Sequence, residues 1–185
     1  MVAQEVVEKH GRLYDAARDG RLFHASTPAT GVAPGTAIGT TAAFSLHNPA
    51  GSGMNVAIRK VSMGYISGTL GAGTVWHLIN DDPQADAPTG TAIVEEAGVV
   101  DDSGPRAVAL TTATIAAPKI IRPFCSLGAS LATTAVEPWQ VQEDVEGGII
   151  IPPGCTYSLH ATAAGGTSPL VAFGVTWEEI DEGSD

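Results

Sequence analysis

The sequence predicts a mainly β protein, an antiparallel β-sandwich preceded by one short helix. Near the N-terminus, apolar residues recur at the three- and four-residue spacing of an amphipathic helix. From Arg21 onward the hydrophobic period changes to two, as in strands with one buried face. Turn-forming residues then recur about every 8–12 residues, the spacing typical of sandwiches and barrels.

The helix is predicted over residues 2–19, and Gly20 is its predicted C-terminal stop. The residues that give this spacing are Val6, Val7, His10, Leu13, Tyr14 and Ala17. A helix of this length is marginal alone, so its apolar stripe needs a partner surface. We therefore divide the chain into an N-terminal helix or arm, residues 1–20, and a β-sandwich domain, residues 21–185.

Alternation of apolar and polar residues predicts the strands. They are expected at 22–27, 41–48, 54–67, 74–80, 106–116, 119–127, 149–151, 156–163 and 170–180.

Three further features refine this pattern. The apolar parity switches within 54–67, which predicts a bulge near Arg59-Lys60. The turn Pro152-Pro153-Gly154 predicts a hairpin-like pair of the strands on either side of it. Residues 81–102 are acidic and interrupted by Pro and Gly, so they are expected to hold at most one short strand, 91–95, and residues 136–148 at most one more.

The charge distribution argues against a nucleic-acid partner. The net charge is −11, all nine Lys and Arg lie at or before Arg122, and the residues beyond it carry nine acidic groups. Phosphate binding needs clustered Lys and Arg. The acidity serves solubility or a basic partner surface.

No targeting or redox signal stands out. Glu5, Glu8 and Lys9 occupy the place of a signal peptide's apolar core, and no run reaches the roughly 18 apolar residues of a membrane helix. Cys125 and Cys155 have no metal-ligand spacing to a His, which favours two buried thiols, although a single bridge remains open. We expect no membrane partner and synthesis in the cytoplasm.

The residues that could carry chemistry are scattered. The five His (His10, His24, His47, His77 and His160) form no HxH, HxxxH or HExxH pattern. The acidic stretch Asp81–Asp86 is a weak calcium candidate, because Pro83 interrupts it and a loop glycine is missing. Trp76, Trp139 and Trp177 fit a sandwich core better than a sugar-binding platform. We therefore expect no cofactor, no metal and no catalytic residues.

The order of several short motifs resembles the small jelly-roll proteins encoded among the head genes of tailed bacteriophages. The motifs that carry the resemblance are Gly20–Phe23, Leu46–Gly53, Arg122–Phe124, Gly147–Gly154, Tyr157–Leu159 and Val175–Ile180. The resemblance implies a jelly-roll-type sandwich in the virion, with a capsid decoration or cement role. It supplies no catalytic set to carry over.

Two alternatives remain open beside the decoration or cement protein. The first is a receptor-binding or fibre-associated virion module, which needs an exposed ligand pocket. The second is a small β-barrel enzyme, which needs His and carboxylate groups converging in a polar pocket.

We expect the partners to be the major capsid protein or other virion proteins, and the protein to form a symmetric homo-oligomer, with a trimer preferred over a dimer. The arm and the 27–41 loop are the expected attachment surface. Its apolar contacts are assigned to Val6, Val7, Leu13 and Tyr14, and its charged contacts to Lys9, Arg12, Arg18 and Arg21. Exposed ion pairs contribute only ~0–1 kcal/mol each, so affinity is expected from the apolar set.

Overall fold

A computed structural model of the protein describes residues 11–80, 83, 88–98, 104–127, 140–163 and 166–183. Within these ranges the helix α1 (Arg12–Arg18) precedes twelve strands. The strands are β1 (Leu22–Ser26), β2 (Thr41–Ala42), β3 (Phe44–His47), β4 (Met54–Ser67), β5 (Gly73–Asn80), β6 (Thr89–Ala92), β7 (Glu95–Ala97), β8 (Val108–Thr114), β9 (Lys119–Leu127), β10 (Gln140–Ile151), β11 (Thr156–Ala163) and β12 (Leu170–Asp181).

The strands form two antiparallel sheets that pack face to face as a β-sandwich, which confirms the predicted class. Sheet A has the order β10-β4-β12-β1-β7. Sheet B has the order β2-β8-β3-β11-β5-β9, with β6 also paired to β8. The largest fully buried side chains come from both sheets: Trp177 and Phe173 from β12, Tyr157 from β11, and Phe44 from β3. The core therefore lies between the sheets, where each such side chain contributes about 1.5–3 kcal/mol.

The end of α1 is fixed by Gly20, as the sequence predicts. Gly20 has φ +70° and donates its N–H to Ala17 O, while Arg21 N–H donates to Ala16 O. These two bonds form a Schellman motif, which needs a residue that tolerates the left-handed region. Only the second half of the predicted helix, Arg12–Arg18, lies within the described residues.

The predicted bulge near Arg59-Lys60 is confirmed. Ile58 pairs with Trp177 and Lys60 with Thr176, so Arg59 is the extra residue of β4. On the other side of β4, the pairing jumps from Asp144 to Ile149, so residues 145–148 of β10 bulge at the same level. The bulge of β4 therefore contains Arg59, and the bulge of β10 lies beside it on the neighbouring strand.

The predicted hairpin across Pro152-Pro153-Gly154 is wrong. Ile151 ends β10 in sheet A beside Val56, whereas Thr156 begins β11 in sheet B. The turn therefore carries the chain from one sheet to the other. Asn48 holds the crossing, because its Nδ2 donates to Ile151 O and its backbone carbonyl accepts from Gly154 N–H.

The single short strand expected within 81–102 is also wrong, because the described part of this stretch contains two strands. β6 pairs with β8 in sheet B, and β7 pairs with β1 in sheet A. Ile93, between them, is 7% exposed and belongs to the main core. The chain therefore passes through the core at Ile93 on its way from β6 in sheet B to β7 in sheet A.

Candidate functional site

Two of the predicted apolar contacts lie on the surface of α1. Leu13 is 41% exposed and Tyr14 is 52% exposed, whereas Ala16 on the same helix is buried. Val6 and Val7, and the basic Lys9, lie outside the described residues. Leu13 and Tyr14 are therefore the exposed larger side chains in the described part of the predicted stripe.

The predicted basic contacts have different environments. Arg18 is exposed and pairs with Asp15 at 3.4 Å and Asp19 at 3.2 Å. Arg21 is directed to its own sandwich, because its guanidinium pairs with Glu178 of β12. Arg12 is exposed and forms no ion pair with the described part of the chain. Of the two arginines of α1, Arg12 is therefore the one without an ion-pair partner among the described residues.

The face of sheet A opposite the core is covered near α1. Leu22, Glu178 and Ala57 lie side by side on three neighbouring strands, on that opposite face, and each is buried. The next residue in the row, Ile150 of the edge strand β10, is 54% exposed. An apolar side chain thus continues the row beyond the part that is covered.

Beneath α1, two arginines share one carboxylate. Glu178 pairs with Arg21 through one oxygen and with Arg59 through the other, and the side chains of Glu178 and Arg59 are 5% and 3% exposed. Arg59 Nη1 also donates to Glu146 O at 3.0 Å, within the β10 bulge. Arg21 also pairs with Asp19 at 3.5 Å, so the two arginines of the Arg21–Glu178–Arg59 trio are matched by two carboxylates.

The β10 bulge is shaped around the Arg59 guanidinium. Glu146 and Gly147 have φ +53° and +83°, and a Cβ on Gly147 would lie 2.5 Å from Arg59 Nη1. Arg59 Nε is buried and has no hydrogen-bond partner among the described residues. One donor of this buried cation is thus uncommitted.

A cleft of about 340 Å³ separates α1 from the bulged parts of β4 and β10. It is lined by Arg12, Leu13, Arg59, Lys60, Asp144 and Glu146. Lys60 and Asp144 pair across the strands at 3.2 Å. The cleft therefore has cations on the α1 and β4 sides and carboxylates on the β10 side.

The acidic C-terminal part of the chain is less exposed than its composition indicates. Glu178 and Glu179 are each 3% exposed. The Glu179 carboxylate accepts the backbone N–H groups of Arg106 and Ala107, each at 2.9 Å. Two of the acidic groups beyond Arg122 are thus used inside the molecule.

His77 joins the two sheets through a second polar cluster. His77 on β5 contacts Tyr157 Oη at 2.6 Å through Nδ1 and Glu143 Oε2 of β10 at 3.1 Å through Nε2. Arg122 of β9 pairs with the other Glu143 oxygen. Because a carboxylate only accepts, His77 Nε2–H donates to Glu143 and Nδ1 accepts from the Tyr157 hydroxyl.

Burial governs the protonation of this cluster. Burial lowers the pKa of His77, although the hydrogen bond and the charge of Glu143 act in the opposite direction. Burial, with the Glu143 charge, raises the pKa of Tyr157 and raises the pKa of the nearby Cys125 thiol to about 11. His77 and Tyr157 are fully buried. His77 and Glu143 are a converging His and carboxylate, the combination that the enzyme alternative needs. Here the described members of the cluster bond to one another and connect the two sheets.

Two other described histidines, His47 and His160, are also structural in their contacts. His47 Nδ1 lies 2.9 Å from Thr156 Oγ1, and His160 Nε2 lies 3.1 Å from Ser158 Oγ. Burial lowers the pKa of His47 and lowers that of His160 to about 4. Across the described ranges, no three His, Cys, Asp or Glu side chains are grouped as metal ligands. The calcium candidate Asp81–Asp86 lies outside the described residues, except for Pro83.

The structure describes both cysteines and two of the three tryptophans singled out in the sequence. Cys125 and Cys155 are not joined in a disulfide, and Cys155 is buried while Cys125 is partly exposed. Trp177 is a core residue and its ring lies 6.0 Å from that of Phe23. Trp76 is partly buried and donates to Thr162 Oγ1, whereas Trp139 lies outside the described residues.

The 27–41 loop contributes to a shallow groove of about 450 Å³. Its walls are small residues of 33–43 together with Thr112, which has φ +51°. No charged side chain of the described residues lines this groove. Of the two regions predicted for attachment, the α1 cleft is therefore the one that offers charged side chains to a partner.

Comparisons with protein-family models, with curated proteins and with solved structures give no match to this chain. Among the helices of the described ranges, none has the length and apolar content needed to span a bilayer.

Proposed function

We propose that the protein is a non-enzymatic structural component of a tailed-bacteriophage particle, where it decorates or cements the capsid through protein–protein contacts. In this role it adds buried interface between neighbouring shell subunits. Its partner is the major capsid protein or another virion protein, and the copies assemble as a symmetric homo-oligomer, a trimer in preference to a dimer.

One observation carries the proposal: α1 exposes Leu13 and Tyr14 beside Arg12, a cation without an ion-pair partner among the described residues. Large apolar side chains at a helix surface next to an exposed cation are typical of a docking surface. Ile150, which continues the covered row of sheet A, adds a third exposed apolar group on the same face.

The strand order supports a jelly-roll interpretation. The four-strand path β1-β12-β4-β10 faces the four-strand path β3-β11-β5-β9. Two Greek keys wound in this way form the jelly roll, which occurs in viral capsid proteins and also in cupins. The fold alone does not select between these groups, so the proposal depends on the docking surface.

The experiment is a binding assay with purified particles of the phage that encodes the chain, prepared without this protein. Full-length protein is added back and the copies that sediment with the particles are counted. Leu13→Ala/Tyr14→Ala should weaken binding at least tenfold, since each fully buried large side chain contributes about 1.5–3 kcal/mol.

Val94→Ala is the matched control, because Val94 is 74% exposed and does not line the α1 cleft. It should bind as the wild type does. Failure of the wild-type protein to bind particles would overturn the proposed function. Wild-type binding by the double variant would overturn the assignment of the docking surface to α1.

A further inference from the structure

We propose that the cleft between α1 and the β4–β10 bulges binds the carboxylate side chain of a Glu or Asp on the partner protein. The inference deepens the proposed function, because it names the chemistry that the docking surface recognises. A protein carboxylate is a planar monoanion for which arginine is the best-suited side chain.

The cations of the cleft are the first argument. Arg12 is exposed and forms no ion pair with the described residues, so its guanidinium is available to a ligand. Behind it, Arg59 is a buried cation whose charge burial screens little from the cleft, and it shares Glu178 with Arg21 in the Arg21–Glu178–Arg59 trio. Arg59 Nε, a buried donor without an acceptor in the described structure, belongs to this trio.

The charge of the whole molecule is the second argument. The chain carries a net charge of −11. Five of the nine basic residues, namely Arg12, Arg18, Arg21, Arg59 and Lys60, lie on or beneath α1. They meet five carboxylates there, those of Asp15, Asp19, Asp144, Glu146 and Glu178. Among the described residues this region is therefore close to neutral on a strongly acidic molecule, so an acidic partner meets little net repulsion there.

The carboxylates that line the cleft decide which kind of anion it can bind. Asp144 and Glu146 line the β10 side, and Asp144 is already paired with Lys60. They repel a dianion more than a monoanion. The bound carboxylate therefore sits on the α1 side, against Arg12, with Leu13 beside it as an apolar contact for the ligand's methylene groups.

The test uses the full-length protein and nitrogen-15 NMR, in which backbone and arginine Nε–H signals are followed. The probe is N-acetyl-glutamate-N-methylamide, and its neutral match is N-acetyl-glutamine-N-methylamide. We expect the glutamate probe, at millimolar concentrations, to shift the signals of α1, Lys60 and the Nε–H of Arg12 and Arg59. The glutamine probe should shift them much less.

Arg12→Gln should weaken binding of the glutamate probe about fivefold, the effect of one exposed ion pair. Lys119→Gln is the matched control, because Lys119 is an exposed cation on β9 of sheet B and does not line the α1 cleft. It should leave the affinity unchanged. Both positions are exposed, so the variants should fold, and their spectra verify it.

Equal shifts with the two probes, or unchanged affinity in Arg12→Gln, would overturn the inference. Tighter binding of inorganic phosphate than of the glutamate probe would overturn the assignment to a carboxylate. These spectra need no particle, so a failure here is distinct from a failure of the particle-binding assay, which concerns the proposed function.

Discussion

Glu178 is the residue on which the α1 side of the molecule depends. Its carboxylate satisfies Arg59, which is buried, and Arg21, which joins α1 to β1. A buried ion pair contributes little net stability, but the loss of one partner leaves an uncompensated charge. The trio therefore makes the position of α1 depend on a side chain in the last strand.

Glu178→Gln should lower the free energy of unfolding by about 3–5 kcal/mol, because Arg59 then stays buried without a counter-charge. Urea denaturation measures the change. Glu182→Gln is the control, since Glu182 is exposed near the end of the described chain, and its effect should stay within about 0.5 kcal/mol. Equal stability of the two variants would contradict the role assigned to Glu178.

His160 makes stability depend on pH. Its pKa in the folded protein is about 4, below the ordinary value of 6.5, because it is buried. Between these values the unfolded chain takes up a proton that the folded chain does not, so stability falls as the pH is lowered through this window. The contribution approaches ~1.4 kcal/mol per pH unit in the middle of the window.

His160→Asn should therefore reduce the loss of thermal stability between about pH 7 and about pH 4.5 relative to the wild type. His24, His47 and His77 also have pKa values lowered by burial, so part of the dependence should remain. Calorimetry at the two pH values gives the comparison. An identical loss in both proteins would show that His160 titrates normally when folded.

At the scale of residues, the exposed candidates can be named from the sequence, whereas the buried ones cannot. Leu13, Tyr14 and Arg12 follow from helical spacing and composition, which are local properties. Arg59 was visible only as a charged residue at a parity switch, and its partner Glu178 is 119 positions away in the chain. Pairing of charges across strands depends on sheet register, which a single sequence does not reveal.

At the scale of elements, the β10 bulge is the feature that positions Arg59. Gly147→Ala should destabilise the protein by about 1–3 kcal/mol, because position 147 has φ +83° and a Cβ there meets the guanidinium. Gly64→Ala is the control, since Gly64 lies in β4, lacks a positive φ and has open space around its Cα. It should be neutral or slightly stabilising. Equal destabilisation of both variants, in urea denaturation, would argue against the bulge as the cause.

The bounds of the longer strands were predictable from alternation, even where a bulge changes its parity. The bounds of β4, β9 and β11 agree with the alternation of their sequences. The hairpin at Pro152-Pro153-Gly154 failed because a turn signal does not state which sheet the next strand enters. β6 and β7 were merged because each is short and Ile93 between them is buried, so no polar break separates them.

At the scale of the whole molecule, the sheets are joined by the shared core and by the His77 cluster. Glu143 belongs to sheet A, while His77, Tyr157 and Arg122 belong to sheet B. β9 and β10 are the terminal strands in the two sheet orders, so Arg122–Glu143 bridges the sandwich where its described edges meet. The fold class was predictable from strand count, but this bridge requires knowledge of which edges face each other.

The last prediction is a double-mutant cycle on this bridge. Tyr157→Phe removes the donor to His77 Nδ1 and should cost about 1–3 kcal/mol, because a buried acceptor loses its partner. Glu143→Gln changes the acceptor of Nε2–H and removes the charge that Arg122 pairs with. Both changes act on one imidazole, which can reorient once either partner is altered, so their effects should be non-additive by at least about 0.5 kcal/mol. Tyr157→Phe combined with Glu96→Gln, an exposed position on β7 at the other end of sheet A, should be additive within about 0.5 kcal/mol. If urea denaturation shows additivity in both cycles, the two sheets are stabilised by apolar packing alone and the His77 cluster does not couple them.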